Sequence, residues 1–321
     1  MTVRLSRRAW LGAIAVGAGA AALPRRAAAR EPVEPLPDAV GLLYDSTRCV
    51  GCGGCVAACK ESNRLPWDGE PKELDCTTKN VVKTRRLSRP AADGAGSAFV
   101  KRQCMQCVDP SCVSVCMLGA LHKEGAGRRD TGNERKGTGI VLWDKELCLG
   151  CRYCQIACAY SIPKFEWQKT DPRIVKCELC RHRAEPAKGG AYAVANPACA
   201  EVCPEQAVVF GRRAELLAEA HRRIAAAPAR YDPKIFGETD GGGTQALYLA
   251  GAGVSFRDLG FPDMPESSPA SLSESVSHAP YLHGLTPLAL YAAAAAIIRR
   301  NRKREEAHAP ARAHADGKDP E

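Results

Sequence analysis

The stretch Cys49-Val50-Gly51-Cys52-Gly53-Gly54-Cys55-Val56-Ala57-Ala58-Cys59 decides what organises this chain. Three cysteines are separated by two residues each, and a fourth follows after three more. On a tight turn of small residues, three such thiolates can converge on three irons of one cubane. The fourth cysteine starts a helix and points away from that site. The motif therefore predicts an iron–sulfur centre that needs a second group of cysteines to be complete.

Three more groups of four cysteines occur, and of the seventeen cysteines only Cys76 is left over. They are Cys104, Cys107, Cys112 and Cys116; Cys148, Cys151, Cys154 and Cys158; and Cys177, Cys180, Cys199 and Cys203. In bacterial two-cluster ferredoxins the last cysteine of a run ligates the other cluster, so such groups work in twos. Four groups predict four [4Fe–4S] clusters in two pairs.

Zinc binding and disulfide formation are the alternatives for the sixteen cysteines. Zinc ribbons use pairs of cysteines, but a tetrahedral site needs two pairs rather than a triplet plus one. Disulfides suit an exported protein, although cysteines two residues apart on a tight turn bridge each other poorly. The chain has no C-x-x-C-H motif, which excludes covalently attached haem. Cys76 is interpreted as a thiol without a ligand role.

Basic residues flank the cysteines, at Lys60, Arg102, Arg152, Lys176 and Arg181. Such charges can raise cluster potentials by stabilising the reduced, more negative state. They can equally be ordinary solvated side chains. His182 follows Cys180 closely, but every predicted cluster already has four sulfur ligands, so we assign it no ligand role.

The net charge of +9 over 321 residues belongs to the ends of the chain. Residues 1–30 contain six arginines and no acid, and residues 299–321 carry a further excess of basic residues. The intervening body is close to neutral, which argues against a nucleic-acid-binding surface. Aromatic residues make up only 6% of the chain, so bound metal is expected to contribute to its stability.

The N-terminus has the pattern of an export signal. Arg7 and Arg8 precede a weakly apolar run rich in glycine and alanine, and residues 27–29 are alanines. This predicts a twin-arginine signal peptide over residues 1–29, which would export the protein already folded. An ordinary secretory signal with two incidental arginines is the alternative.

Strand, cysteine loop and helix are expected to repeat along residues 31–230, which predicts an α+β fold of tandem ferredoxin-like, bis-[4Fe–4S] units. A C-terminal transmembrane helix is expected to follow. Short strands are expected over residues 40–44, 139–143 and 208–210, a packing helix over 214–224, and a polar surface insertion over 67–96. The predicted parts are a four-cluster domain at 30–230, a wrapping extension that contacts a partner at 231–280, a transmembrane helix at 281–298 and a basic, disordered tail at 299–321.

The predicted transmembrane segment spans eighteen residues without acid, lysine or arginine, and five basic residues follow it at once. A spanning helix needs about twenty mainly apolar residues, so an alanine-rich helix outside the membrane is the alternative. The basic cluster satisfies the positive-inside rule if the body lies outside the cytoplasm. The expected location is the periplasmic side of the inner membrane, with a single-pass C-terminal anchor.

The chain resembles the four-cluster iron–sulfur subunits of membrane-bound oxidoreductases, and most closely those of hydrogenases. The resemblance rests on the residues before Cys49, on Gln103 to Pro110, and on the remaining cysteine groups. The later run Gly241-Gly242-Gly243-Thr244-Gln245 separates it from the subunits of formate dehydrogenases and dimethyl sulfoxide reductases.

The resemblance implies nested pairing, with the first group matched to the fourth and the second to the third. The implied ligand sets are Cys49, Cys52, Cys55 and Cys203; Cys59, Cys177, Cys180 and Cys199; Cys104, Cys107, Cys112 and Cys158; and Cys116, Cys148, Cys151 and Cys154. The implied role is electron transfer between a [NiFe] hydrogenase and a quinone-reactive membrane subunit, without a catalytic site in this chain. The equivalent subunit of a formate dehydrogenase or another molybdopterin oxidoreductase is the alternative.

Overall fold

The computed structural model describes residues 31–67, 69–125, 137–169, 172–183, 195–274 and 285–308. The strands are β1 (Val40–Asp45), β2 (Val81–Arg86), β3 (Ser97–Arg102), β4 (Leu121–Lys123), β5 (Val141–Trp143), β6 (Lys164–Phe165), β7 (Ile174–Val175), β8 (Val208–Arg212) and β9 (Ala246–Leu249). The helices are α1 (Gly54–Ser62), α2 (Ser111–Ser114), α3 (Tyr153–Ala157), α4 (Ala198–Glu201), α5 (Arg213–Ala226) and α6 (Leu285–His308).

A three-stranded sheet joins strands that lie far apart in the sequence. Its strand order is β8-β1-β9, with β1 antiparallel to β8 and parallel to β9. All six residues of β1 are buried, as expected for an apolar strand covered on both faces. The other strands form antiparallel hairpins, β2 with β3, β4 with β5 and β6 with β7. The architecture is therefore a mixture of helices and small sheets.

The helices that carry cysteines pack in a nested order. Helix α1, which contains Cys55 and Cys59, contacts α4, which contains Cys199. Helix α2, which contains Cys112, contacts α3, which contains Cys154. The first cysteine group therefore lies beside the fourth, and the second lies beside the third.

Residues 231–273 belong to the same compact unit as the cysteine-rich part. Strand β9 completes the central sheet, and Phe236, Tyr248 and Phe261 are almost fully buried. The Phe236 and Phe261 rings lie 4.4 Å apart between centroids, at a distance typical of favourable aromatic packing. This segment therefore supplies much of the apolar cover over the cysteines.

The prediction of a C-terminal transmembrane helix is wrong. No helix among the described residues is both long enough and apolar enough to cross a bilayer. In α6 only fourteen residues precede Arg299, whereas a spanning helix needs about twenty. These fourteen include Pro287 and many alanines, and an alanine side chain gains little free energy on leaving water. Residues 281–284 of the predicted span lie outside the described residues, as does part of the predicted tail.

The predicted signal peptide also lies outside the described residues, which begin at residue 31. The export signal therefore stays a prediction from the sequence. Of the expected elements in the body, the strands at 40–44 and 208–210 and the helix at 214–224 are confirmed, each with one to three added residues. The third strand is confirmed over its last three residues.

Candidate metal centres

All seventeen cysteines lie in the described part of the chain, and none of them forms a disulfide. Sixteen fall into four sets, which we call the first to fourth quartets. The first is Cys49, Cys52, Cys55 and Cys203; the second is Cys59, Cys177, Cys180 and Cys199; the third is Cys104, Cys107, Cys112 and Cys158; the fourth is Cys116, Cys148, Cys151 and Cys154. The grouping equals the ligand sets expected from the sequence, and their ligation of metal stays a prediction.

The first quartet lines one cavity, although Cys203 comes far later in the sequence than the other three members. Tyr44 and Val82 contribute apolar walls to this cavity. The fourth quartet lines a second cavity, in which Cys116 joins three cysteines from α3 and the loop before it. Each outer cavity therefore combines a compact three-cysteine segment with one cysteine from a distant group.

The loops of the first and fourth quartets share one backbone conformation. Gly51 and Gly53 have φ angles of 71° and 70°, and Gly150 and Arg152 have 69° and 66° at the equivalent positions. A left-handed conformation is uncommon for a residue with a side chain. The Arg152 guanidinium stacks over the Trp167 ring at 4.1 Å, which helps to hold that residue in place. Two copies of one thiol-presenting turn therefore serve the first and fourth quartets.

The thiols of each inner quartet influence one another, and some of them also influence thiols of a neighbouring quartet. Burial raises the pKa of Cys59 to about 11, and repulsion from Cys199 and Cys180 adds to this effect. Burial also raises the pKa of Cys107, with further contributions from Cys112 and Cys104. Such mutual repulsion requires the thiols of each quartet to lie close together.

Electrostatic influence between thiols of different quartets indicates that the quartets follow one another in a line. The thiols that influence each other across quartet boundaries are Cys55 with Cys199, Cys104 with Cys177, and Cys112 with Cys154. The order is therefore first, second, third, fourth. Exposed cysteines occur only in the terminal quartets, as Cys52 and Cys151, while every cysteine of the second quartet is buried.

The thiols suit a polynuclear iron–sulfur cluster. Burial raises the pKa of Cys55 and of Cys154 to about 12, so without metal these groups hold their protons at neutral pH. A bound cation reverses this because it stabilises thiolates directly. Within the described ranges, no three histidine, cysteine or acidic side chains converge closely enough for a single metal ion. The sulfur-only donor sets therefore fit a cubane better than a mononuclear zinc site.

Comparisons with known proteins agree with this geometry. The 4Fe-4S dicluster domain family matches residues 96–213. The hydrogenase-2 operon protein HybA of Escherichia coli O157:H7 is 37% identical over 94% of this chain and 97% of its own length. The chain belongs to the HybA family. The iron–sulfur subunit of the nitrate-inducible formate dehydrogenase of Escherichia coli K12 is 30% identical over 65% of this chain and 67% of its own. A subunit of the anaerobic dimethyl sulfoxide reductase of Haemophilus influenzae is 29% identical over 59% of this chain and 81% of its own.

Membership of this family decides between the alternatives left open by the cysteine pattern. The chain is an electron-transfer iron–sulfur subunit that binds [4Fe–4S] clusters, and it is not a catalytic subunit. A zinc ribbon and a disulfide framework are excluded. Cys76 lines neither of the two outer cavities and belongs to none of the quartets.

Two buried lysines, Lys101 and Lys176, and the half-buried Lys123 lie among the quartets. Burial lowers the pKa of Lys101, but attraction to Cys199 and Cys55 outweighs this and leaves its pKa raised. For Lys176, attraction to Glu178 and nearby thiols likewise outweighs burial and leaves its pKa raised. For Lys123 burial prevails, and its pKa falls to about 8. The sulfur-rich surroundings thus favour the charged form of Lys101 and Lys176, whereas at Lys123 they only partly offset the effect of burial.

Lys101 and Lys123 are functional candidates that the sequence does not single out. Lysines are rarely withdrawn from the surface, and nothing in the sequence marks the buried Lys101 or the half-buried Lys123 as different from surface lysines. Lys123 Nζ donates to the carbonyl oxygens of Cys107 and Gly139 and to Gln245 Oε1, at 2.6–2.8 Å. Gln245 is itself buried, so the glycine-rich run before it delivers a polar side chain into the centre of the body.

The flanking basic residues named from the sequence have different roles. Lys176 interacts with thiols of two quartets, and Arg152 lines the cavity of the fourth quartet. Lys60 Nζ instead donates to the carbonyl of Pro66, and Arg181 forms an ion pair with Glu124. Arg102 donates a hydrogen bond to the Gly260 carbonyl. The ring of His182, to which we assigned no ligand role, is hydrogen-bonded to Ser62.

Proposed function

We propose that this chain relays electrons through four [4Fe–4S] clusters between a [NiFe] hydrogenase and a quinone-reactive membrane subunit. The observation that carries the proposal is the line of four cysteine quartets, in which only the terminal two have exposed members. A [4Fe–4S] cluster accepts and releases one electron at a time. A line with exposed ends and buried middle suits entry at one end and exit at the other.

The proposed ligands are the four members of each quartet. The chain's own contribution is to hold the quartets in order and to shield the second quartet from water. Cys177, Cys180 and Cys199 are buried, and the aromatic residues Phe236, Tyr248 and Phe261 belong to the core around them. Exclusion of water protects inner sites from side reactions and limits exchange with the solvent to the ends of the line.

The surface around the fourth quartet supports docking of a partner subunit. Large apolar side chains are exposed there, and Ile156, Leu149 and Met117 have 83%, 77% and 74% of their area accessible. Leu149 and Met117 line the cavity of the fourth quartet itself. Exposed apolar surface of this kind marks interaction sites on soluble domains. We propose that this apolar rim is covered by a partner in the assembled complex.

Hydrogenase is preferred over formate dehydrogenase as the source because the similarity to HybA extends over nearly the whole of both chains. The formate dehydrogenase subunit matches only about two thirds of each. The run from Gly241 to Gln245, which carries the resemblance to the hydrogenase subunit, lies within the ordered body and delivers Gln245 to Lys123.

The cluster number is tested by iron and sulfide analysis of anaerobically purified protein. Four clusters correspond to about sixteen irons per chain by the stoichiometry of the cubane. Cys151→Ser removes a proposed ligand, whereas Cys76→Ser removes the cysteine outside the quartets and is the matched control. We expect loss of iron and an altered EPR spectrum for the first variant and neither for the control. Iron content corresponding to two clusters would contradict the proposal.

The partners are tested in cells that lack the native chain. Membranes from cells complemented with the natural chain should reduce quinone with hydrogen, and those complemented with Cys151→Ser should not. Formate-dependent reduction is measured in the same membranes. If formate-dependent activity is lost and the hydrogen-dependent activity is not, the chain serves a formate dehydrogenase instead.

The location on the periplasmic side of the inner membrane rests on the predicted twin-arginine signal. Replacing Arg7 and Arg8 together by lysine keeps the charge of an ordinary secretory signal but removes the arginine pair. We expect the variant to accumulate in the cytoplasm, as judged by fractionation. Normal export of the variant would favour the ordinary secretory route.

A further inference from the structure

The four C-x-x-C loops share one backbone conformation but not one residue type. In each loop the residue directly before the second cysteine has a positive φ angle, which is 71° at Gly51, 50° at Gln106, 69° at Gly150 and 49° at Leu179. Glycine adopts this conformation readily, whereas a residue with a side chain is uncommon there. The loops of the first and fourth quartets therefore use the residue that the turn favours, and the loops of the two inner quartets do not.

The side chain of Gln106 offers a reason for this exception in the third quartet. It has no exposed area, and both ends of its amide group are hydrogen-bonded. Nε2 donates to the Cys177 carbonyl oxygen at 2.8 Å, and Oε1 accepts from the Val141 amide at 2.7 Å. A glycine at this position would relax the backbone but would remove both bonds from the interior. The two bonds therefore offset the cost of the left-handed conformation.

Gln106 closes a ring of interactions between the second and third quartets. Lys176 Nζ donates to the Val141 carbonyl, and Lys176 directly precedes Cys177 in the chain. The ring thus runs from Gln106 to Val141 on β5, then to Lys176 and Cys177, and back to Gln106. Since Gln106 is itself followed by Cys107, the ring fastens a loop of the third quartet to a ligand residue of the second.

The junction between these two quartets differs from the other two junctions in the line. Cys55 of the first quartet and Cys59 of the second are four residues apart, and so are Cys112 of the third and Cys116 of the fourth. The backbone itself therefore connects the first quartet to the second and the third to the fourth over a short distance. The second and third quartets have no members closer in sequence than Cys158 and Cys177, which are nineteen positions apart.

A hydrogen bond takes the place of that short backbone connection. Among the described residues, the bond from Gln106 to Cys177 is the hydrogen bond that directly joins loop 104–107 to loop 177–180. A tunnelling electron is conducted better along covalent bonds and one hydrogen bond than across a gap of the same length. The route from Cys107 through Gln106 to Cys177 is such a path, and it crosses the middle of the line.

We propose that Gln106 couples the second cluster to the third, because its side chain holds the two loops together and completes the bonded path between them. This inference rests on the proposed function, since it requires clusters in both inner quartets. Gln106 acts through the loops that carry the ligands, so it is a positioning residue. Without its side chain, the line is expected to behave as two separate pairs of clusters.

The experiment is EPR of the fully reduced, iron-loaded, full-length protein and of two variants. Gln106→Gly keeps the turn, as Gly51 and Gly150 do in their loops, and Gln106→Met keeps most of the side-chain volume. Both variants remove the bond to Cys177. We expect both to lose the magnetic interaction between the second and third clusters, so that the spectrum changes from that of one coupled line to that of two independent pairs.

Gln206 supplies matched controls. It has a φ angle of 49°, is exposed, and follows Cys203 of the first quartet by three residues. Gln206→Gly and Gln206→Met should leave the spectrum unchanged. Unchanged coupling in either Gln106 variant at full iron content would overturn the proposal, as would an equal loss of coupling in the Gln206 variants. The relay itself would survive those results, because it is contradicted by fewer than four clusters in the natural protein.

A measurement on the natural protein covers the case in which both Gln106 variants fail to bind iron. Hydrogen–deuterium exchange, followed by mass spectrometry, reports whether the Val141 amide is hydrogen-bonded in solution. We expect this amide to exchange slowly in the iron-loaded protein, because it donates to the buried Gln106 side chain. Rapid exchange at Val141 would show that the ring between the two quartets does not form, and it would refute the proposal.

Discussion

Replacement of Gly51 by alanine tests how the turn of the first quartet is built. A Cβ at this position would lie 2.3 Å from a ring carbon of Phe99, well inside the roughly 3.5–4.0 Å of a normal carbon contact. Gly53 is two residues away in the same turn and has nearly the same φ angle. A Cβ there would have its nearest neighbour, Glu70 Oε1, at 3.9 Å. The two glycines therefore differ in available space but not in backbone conformation.

The expected costs follow from this difference. Either alanine adopts a left-handed conformation, at about 1–2 kcal/mol. Gly51→Ala must in addition displace Phe99, which adds about 1–3 kcal/mol as in other overpacked sites. For a body of this size each kcal/mol lowers the melting temperature by about 2–4 °C. We expect decreases of about 2–8 °C for Gly53→Ala and about 4–20 °C for Gly51→Ala.

The assay is loss of the visible iron–sulfur absorbance during anaerobic heating at one fixed rate. Phe99→Leu is then combined with Gly51→Ala, because a smaller side chain relieves the overlap but leaves the backbone cost. The double variant should melt higher than the sum of the single effects predicts. Equal melting temperatures for the two glycine variants, or strict additivity with Phe99→Leu, would refute this reasoning.

Three further predictions concern stability and metal content. Asp45 is fully buried and accepts hydrogen bonds from Arg223 Nη1 at 3.0 Å and from the Tyr231 hydroxyl at 2.9 Å. Because Asp45→Asn removes the charge that pairs with Arg223, it should lower the free energy of unfolding by about 3–5 kcal/mol. The measurement is denaturant unfolding of the iron-loaded protein. Asp258→Asn, at an exposed carboxylate that accepts from Ser88, should cost less than about 1 kcal/mol and serves as its control. Removal of iron by a chelator under reducing conditions should leave protonated thiols in the core. Because the metal then no longer links the cysteine groups, we expect the protein to become more sensitive to proteases. An unchanged digestion pattern would count against a structural role of the metal.

The cysteine spacing carries most of the information about the candidate sites. It predicts which thiols share a loop, because residues two apart on a turn cannot separate far. It does not reveal that Cys203 meets Cys49, which depends on β1 pairing with β8 and is predicted only through the family resemblance. The structure places Cys203 in one cavity with the first cysteine group and Cys116 in one cavity with the third group.

The features that the sequence does not predict have physical reasons. Residues 67–96 are polar and predict a surface insertion, yet β2 lies there and its first residue, Val81, is fully buried although most of the strand is polar. Strand β9 has only four residues beside a glycine-rich run, too few for a reliable pattern. The alanine-rich segment of α6 is uncharged, but it is not long and apolar enough to cross a membrane. The absence of charged residues alone therefore does not predict a membrane span. Lys101 is a buried charge whose sulfur partners are distant in sequence.

The position of β1 in the middle of the central sheet has a consequence for biosynthesis. Val40 pairs with Arg212, and Asp45 pairs with Leu249, so both neighbours of this early strand are translated long after it. Until the ribosome has delivered Arg212 and then Leu249, this largely apolar strand lacks one or both of its neighbours in the sheet. The first two quartets each include a cysteine of the last group, so they are complete only after Cys199 and Cys203 have been translated. Until then the nascent chain carries unpaired thiols and an unpaired apolar strand, which expose it to oxidation and aggregation.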